Sequence, residues 1–564
     1  MRILILIIFL CFFHSQWIAA QEDEVNFIEN SSSIKSAFGN HGMVICNSAL
    51  SAQTALSILK KGGNAIDAAI AANAVMGVID PTSGGVGGDL FALIWDSKSE
   101  QLFGINGCGR TPKLLTNDLF KRLNINHINA DSPLSVTVPG CVDAWNEMYQ
   151  KFGLLPISEI LQDAISTSEN GFIIGDEVYE RMQNEAVRLA KNPQFFAAYL
   201  VDGQLPEKGS VVKNHDLSNL FKDLSINGFR SFYDGKINQA MQLSVKEAGG
   251  YLSSFDITNH HSEWVEPVST DYHGNKVCQL PPNGMGINVL IMLEMLEHIA
   301  KDIDSLGSKE YYHTLIELNK QAFGDQDAYY EDPTFRNYTV SNMLSLQKIN
   351  EKIKTISVIK ASDNLSHHTY NESNTISVIV ADQNGNLVIL CQNNYIGMGS
   401  GIVPTGLGFV LQNRAASFTL RRNQSNTYAA GKRPYFSSMP CVVLKDNKPL
   451  IAISLSNNQL GAGAEFQLIV NTIDYQLEPM KAIGTPYFYQ SKPFGKQESG
   501  IGSDWTNIEK GLNYQIIRDL ISMGHHIKIT SAPITGLQTL FIKPDNPAFQ
   551  GLIKSNKKGL VVGY

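Results

Sequence analysis

Apolar positions along the chain follow two different periods. Residues 48–62 carry apolar side chains at helical spacing and stop on Gly62, which predicts a helix ended by glycine. Residues 64–76 are apolar almost all round, so a second, buried helix is expected there. A glycine-rich turn, Ser83-Gly-Gly-Val-Gly-Gly-Asp89, leads into a strand-like run at 90–95. Residues 140–340 read as mainly helical, with amphipathic stretches at 287–298 and 311–323. From Thr375 the pattern turns to short strands, with helices expected at 464–473 and 508–523. Helices first and strands later predict an α+β fold, with helix layers around packed sheets. The linker-like segment is the polar stretch 361–374.

That stretch changes into a strand at Asn374-Thr375. Residues 375–381 run apolar, Asp382-Gln-Asn-Gly385 turns the chain, and 386–391 bring it back. Asn384-Gly385 between two apolar runs predicts a type I′ hairpin, with positive φ at both residues. A soluble segment abutting a strand that opens on Thr is the layout of an N-terminal-nucleophile hydrolase precursor. If the bond before Thr375 breaks, its hydroxyl gains a free α-amine as its own general base. Threonine also opens strands for β-propensity alone, so the junction needs support from elsewhere.

Composition changes the picture modestly. With 564 residues, 43% hydrophobic and 17% charged, the chain suits one large domain or two ordinary ones with an ample core. A net charge of −8 and the lack of a basic stripe argue against a nucleic-acid partner. One positive charge and about 11 apolar residues open the chain, and Ala19-Ala20 follow, which is the pattern of a secretory signal peptide cut after Ala20. A secreted protein is expected; the alternative is a membrane anchor formed by the uncut segment, although its apolar run is shorter than the roughly 20 residues of a spanning helix. Glycosylation acceptor sequences at Asn30, Asn337, Asn364, Asn371 and Asn423 suit that address. Cys46, Cys108, Cys141, Cys278, Cys391 and Cys441 are scattered, with no CxxC and no close histidine pair. Neither a metal nor an organic cofactor is expected; Cys391 and Cys441 read as buried free thiols.

Several segments together resemble the γ-glutamyltransferase (glutathione hydrolase) superfamily. They are Lys60-Lys-Gly-Gly-Asn-Ala-Ile-Asp-Ala-Ala69, Pro81-Thr-Ser-Gly-Gly-Val-Gly-Gly-Asp89, Gly109-Arg110, Phe323-Gly-Asp-Gln-Asp327, residues 375–385, and Gly431-Lys-Arg-Pro434 with Ser437-Ser438. They fall in the superfamily's order across roughly residues 40–490. Residues 392–401 and Gly408-Phe-Val-Leu-Gln-Asn-Arg414 look more like the bacterial-type branch that includes oxamate amidohydrolase.

The resemblance implies an αββα four-layer sandwich made as a proenzyme. It implies scission at Asn374-Thr375 into a large region, 21–374, and a small region, 375–564, which pair as a heterodimer. Thr375 would then be nucleophile and, through its amine, base. Arg110 would hold the substrate carboxylate, and Ser437 and Ser438 would touch it and line the pocket. Acyl transfer would end on water or an amino acid. The Gly84–Gly88 run lacks the Lys-Ser/Thr of a phosphate loop and reads as tight backbone packing; Asp325 and Asp327 read as structural.

Departures bear on activity and substrate. Where the superfamily's oxyanion hole uses a Gly-Gly pair, this chain has Asn457-Asn458. Loss of one oxyanion donor typically costs about 10²–10³ in rate. Ile376 and Ser377 follow the nucleophile in place of the usual residues, and Asn393, expected among the substrate-binding residues, stands where a threonine is usual. The acid that grips a substrate α-ammonium falls at Ala416 or Ser417. Three functions are therefore carried forward: an enzyme acting on γ-glutamyl compounds such as glutathione, a secreted pseudoenzyme with a binding or effector role, and an oxamate-like amidase.

Overall fold

The computed structural model describes residues 27, 33–200, 203–299, 303, 305–324, 331–336, 339–362, 375–422, 424–456, 461–491, 505–530, 536–543, 548–555 and 559–564. The expected signal segment, Asn30, Asn337, Asn364, Asn371, Asn423, Asp325, Asp327, Asn374, Asn457 and Asn458 lie outside the described residues.

Two seven-stranded sheets face one another. In spatial order, one contains Leu560–Gly563, Met43–Cys46, Ile376–Ala381, Leu387–Asn393, Asp89–Asp96, Gln101–Gly107 and Glu263–Val265. The other contains Ile34–Gly39, Phe549–Lys554, Leu537–Ile542, Lys448–Leu455, Cys441–Lys445, Asn275–Gln279 and Val268–Tyr272.

Side-chain alternation builds four layers from these sheets. Along Ile376–Ala381, the side chains of Ile376, Val378 and Val380 join the helix-side core, while Ile379 and Ala381 join the core between sheets. Its hairpin partner repeats this with Val388 and Leu390 against Leu387 and Ile389. A strand buried on both faces reads as a continuous apolar run, which is why 375–381 looks apolar throughout. Facing Ile379 across the middle layer are Val442, Ala452 and Leu540 of the second sheet. Truncating Ile379 to Ala would cost about 2–5 kcal/mol.

Helices close both outer faces. Ala65–Ile79 lies on the first sheet and pairs with Ala49–Lys60; its alanines let backbone and sheet approach closely. Asn64 starts it with a capping box, accepting the Ile66 and Asp67 amides while Asp67 accepts the Asn64 amide. Gly62, at φ +92°, stops the preceding helix as expected. Ile287–His298, Lys309–Phe323 and Gly461–Ile473 cover the second sheet. The αββα sandwich is thus the fold.

The structure corrects several sequence expectations. The stretch 140–340 includes the strands Glu263–Val265, Val268–Tyr272 and Asn275–Gln279, whose alternation is too short to stand out among helices. Ile508 ends up in a strand, Trp505–Glu509, and the helix begins only at Tyr514, capped by Asn513. Of the pair expected to form a type I′ turn, only Gly385 has positive φ, at 84°. The Asp382 carboxylate accepts the Asn384 and Asn386 amides at 2.9 and 3.1 Å, and these bonds favour a longer turn closed by a left-handed glycine. Positive φ at both turn residues occurs instead at His273-Gly274, 47° and 75°.

All the described cysteines are free and buried. Among the described residues no helix is long and apolar enough to cross a membrane.

Candidate active site

Thr375 sits where the two sheets meet at one end of the sandwich. Ile376 pairs with Gln392, and the same register sets residue 375 opposite Asn393. The Asn393 Nδ2 amide donates to Thr375 Oγ1 at 2.9 Å. The Thr375 N–H donates to the Ser456 carbonyl at 2.9 Å, just beyond a strand of the second sheet. Ser456 is in turn fixed by its amide, which donates to Gly536 O at 2.9 Å. Thr375 is 1% exposed. Ser456 immediately precedes Asn457-Asn458, so that pair starts one residue from the contact with Thr375.

Asn393 is held in turn by a buried arginine. Its Oδ1 accepts the Tyr395 amide at 3.0 Å and also Arg414 Nη2. Tyr395 adopts φ +77°, a costly value for a non-glycine residue that turns the chain sharply beyond the strand. Arg414 is wholly buried and donates Nε–H to Asp89 Oδ2 at 3.0 Å. Its guanidinium lies 4.2 Å from the Phe436 ring centre, a cation–π contact. Asp89 Oδ1 accepts the Gly109 amide at 2.8 Å and Gln412 Nε2 at 2.7 Å. Burial pushes the Asp89 carboxyl upward in pKa, and the Arg414 guanidinium opposes that rise without cancelling it.

The glycine-rich turn presses on this strand end. A Cβ on Gly88 would run into Asn393 O, and one on Gly84 into the Gln392 side chain. Gln392 grips the turn from the other side: it accepts Gly85 N–H at 3.0 Å and donates to Gly85 O at 2.6 Å. Backbone packing, expected for this run from its sequence, is what it does.

Arg110 has different company. Its Nη1 donates to Asp332 at 2.7 Å and to Gly431 O at 3.2 Å, and its Nη2 donates to Glu263 at 3.1 Å. Arg433 shares Glu263 at 2.7 Å and donates to Cys108 O at 2.9 Å. Burial alone would raise the Asp332 carboxyl, but the Arg433 amide and Arg110 guanidinium outweigh it and hold the pKa down. None of these hydrogen bonds of Arg110 reaches Thr375, whereas Asn393 touches it directly. Ser437 and Ser438 are buried and follow Phe436, the ring under Arg414.

Asp89, Gln412 and Arg414 entered the sequence reading only as members of matched segments. A signal was present: single opposite charges at the end of a glycine run and of an apolar run, which is how a buried ion pair looks. Elsewhere, His313, Glu317 and His525 place metal-ligating atoms within 4.8 Å of one another. His313 Nδ1 and His525 Nε2 lie 2.8 Å apart, so these nitrogens already hydrogen-bond to each other.

Comparison with known proteins gives this geometry its context. The model of the gamma-glutamyltranspeptidase family matches residues 51–564. The chain belongs to that family. A glutathione hydrolase-like YwrD proenzyme of Bacillus subtilis is 30% identical over 94% of this chain and 99% of its own length. A glutathione hydrolase proenzyme of Bacillus subtilis is 26% identical, over 93% of this chain and 92% of its own. A cephalosporin acylase from Bacillus halodurans superposes with a TM-score of 0.84 at 29% identity, covering 94% of this chain and 97% of that one. The family thus joins hydrolase and acylase proenzymes on this sandwich, and glutathione hydrolases are among this chain's relatives.

Proposed function

We propose that the protein is a self-processing threonine amide hydrolase or acyltransferase, secreted, with Thr375 as nucleophile. In maturation, Thr375 Oγ1 attacks the Asn374 carbonyl and the peptide nitrogen leaves, giving an ester. Water then hydrolyses the ester, leaving a carboxylate on Asn374 and a free amine on Thr375. In turnover the same oxygen attacks a substrate amide, and its proton passes through the α-amine to the departing amine. Water or an amino acid resolves the acyl-enzyme. Large and small regions stay paired as a heterodimer, since both main sheets mix strands from the two sides of residue 375.

The observation that carries this reading is the pair of contacts on Thr375. Asn393 N–H on Oγ1 orients the hydroxyl and favours its developing charge, and Ser456 O accepts from the nitrogen that becomes the amine. The Asn457 and Asn458 backbone amides are the proposed oxyanion donors. Arg110, Ser437 and Ser438 are the proposed carboxylate contacts. The substrate is a γ-glutamyl compound such as glutathione or another small carboxylate-bearing amide, oxamate among them.

Intact-mass analysis and turnover of γ-glutamyl and glutaryl p-nitroanilides test this. Wild-type protein is expected as two pieces that release p-nitroaniline, and Thr375→Ala as one inert chain. A single wild-type chain whose behaviour matches that of the Thr375→Ala variant rejects the reading. The rival, a pseudoenzyme, is suggested by Asn457-Asn458 standing in the sequence where the superfamily's oxyanion hole uses a Gly-Gly pair. A cleaved but inert protein would implicate that pair; replacing both by glycine should then restore turnover, and failure to do so removes that explanation.

A further inference from the structure

The proposed mechanism leaves one buried cluster unused. His313 and Glu317 stand one turn apart on the helix Lys309–Phe323, so their side chains share a face. His525 comes from the turn that ends the helix Tyr514–Ser522, where Gly524 adopts φ +101° and the His525 amide donates to Leu520 O at 3.1 Å. His313, Glu317 and His525 are 1%, 0% and 3% exposed, and each offers a ligand atom within 4.8 Å of the others. The histidines are 212 positions apart, so spacing along the chain gave no sign of the group.

Hydrogen bonding in this cluster does not close. Ser357 O can only accept, so at 2.7 Å it takes the Nε2–H of His313 and leaves His313 Nδ1 as a lone pair. Metal-binding imidazoles are commonly held in this way, with the second nitrogen on a backbone carbonyl. His525 Nε2 lies 2.8 Å from His313 Nδ1. If Nε2 carries the ring proton, His525 Nδ1 is a lone pair that has no hydrogen-bond partner among the described residues and faces Glu317 Oε1 at 4.0 Å. If the proton sits on Nδ1 instead, two lone pairs meet at 2.8 Å. Either tautomer sets electron-rich atoms against each other in a buried site, where that is costly. A cation between His313 Nδ1 and His525 Nε2 removes the conflict. His525 then keeps its proton on Nδ1, toward the Glu317 carboxylate.

We propose that His313 Nδ1, His525 Nε2 and the Glu317 carboxylate form a zinc-class divalent metal site, with water in the fourth position. Two neutral nitrogens and one carboxylate suit zinc, whereas calcium and magnesium prefer all-oxygen sets. Two nitrogens on a tetrahedral zinc stand about 3.3 Å apart, so the rings separate by roughly half an ångström on loading. Glu317 already accepts from Lys320 Nζ at 2.7 Å and from the Ser362 amide at 3.2 Å, and its oxygens keep further lone pairs for a metal. The Lys320 ammonium opposes the incoming cation and weakens its binding. His313 and Glu317 precede residue 375 and His525 follows it, so the metal joins the two pieces made by the proposed scission. Only this cross-link rests on the proposed function.

Zinc titrated calorimetrically into chelator-stripped wild type and Thr375→Ala should bind at one equivalent in both. His313→Gln and His525→Gln should each weaken binding by at least about 100-fold, since even a partner behind the ligands is worth about 10–100-fold. Lys320→Gln should tighten binding at least about tenfold by removing the neighbouring positive charge. His273→Gln is the control, because His273 meets Glu297 and Asp474 at 3.1 and 3.2 Å in a half-exposed cluster; it should leave binding unchanged. Absence of a one-equivalent site overturns the inference, as does binding lost in His273→Gln and kept in the other two histidine variants. If the His313 and His525 variants fail to fold, Lys320→Gln decides: tighter binding supports the site, and unchanged or weaker binding overturns it. In processed protein, zinc should raise the urea concentration that separates the two pieces, and no rise overturns the cross-link. Zinc uptake by a wild type that stays uncut keeps the site and rejects the proposed function.

Discussion

Arg110 and Arg414 flank the same loops yet live in opposite environments. Arg110 is 30% exposed and engages two carboxylates and a carbonyl. Arg414 is fully buried, engages the Asp89 carboxylate and an aromatic face, and among the described residues keeps a nitrogen unpartnered. The first joins the turn at Gly109 to the segments carrying Glu263 and Asp332. The second is coupled, through one amide, to the threonine hydroxyl. A guanidinium's usefulness to a ligand thus depends on which of its donors are already spoken for, and motif position alone does not reveal that.

The largest test of the contrast is Asp89→Asn, which leaves Arg414 as a buried cation with no counter-charge. Unfolding should become easier by about 3–5 kcal/mol, read from denaturant midpoints. A loss near zero would mean that the buried pair is not a real ion pair. Next comes Asn393→Ala, which cuts the link between Arg414 and Thr375. Single-turnover kinetics should find the chemical step slowed by about 10²-fold, with folding retained. An unchanged rate would detach Arg414 from the nucleophile.

Arg110→Gln probes the other side of the comparison. Because its ion pairs are partly exposed, stability should fall by no more than about 1 kcal/mol. A KM increase of about tenfold or more on either p-nitroanilide would restore Arg110 as a carboxylate anchor, whereas an unchanged KM leaves it a cross-link. The smallest effect concerns pH. In metal-free protein, mild acid sensitivity is expected from a buried histidine away from both arginines. Burial, with Lys320, His313 and His526 adding to it, lowers the His525 pKa to about 3. Folding therefore keeps this ring neutral, while the unfolded chain takes up a proton below about pH 6.5. The contribution is present above that pH and is lost as the solution is acidified toward 3. From pH 7 to pH 6 the loss should be under about 1 kcal/mol, and His525→Gln should flatten it.

Legibility in the sequence followed the range of the interaction. The nearly all-apolar run 64–76 and the two-faced strand at 375–381 carry their burial in every residue, so both elements were readable. The short strands around 263–279 and the start of the helix at Tyr514 depend on neighbours far along the chain, and local period missed them. The same holds within the site. Thr375 stood out by its junction, but the line from Asp89 through Arg414 and Asn393 is assembled from three segments, and the register that joins them is not a local property.

Sequence alone settled that Val378 and Val380 share one face of their strand and Ile379 the other, because side chains two apart share a face; the structure turned the first face to the helices and the second to the opposite sheet. It also settled which residue types were available at the strand end. Tertiary structure decided which of them meet, because pairing of Leu387–Asn393 with Asp89–Asp96 brings Asn393 against Asp89 across the ladder. The burial of Arg414, and with it the link through Asn393 to Thr375, follows from that convergence and is written in none of the segments separately.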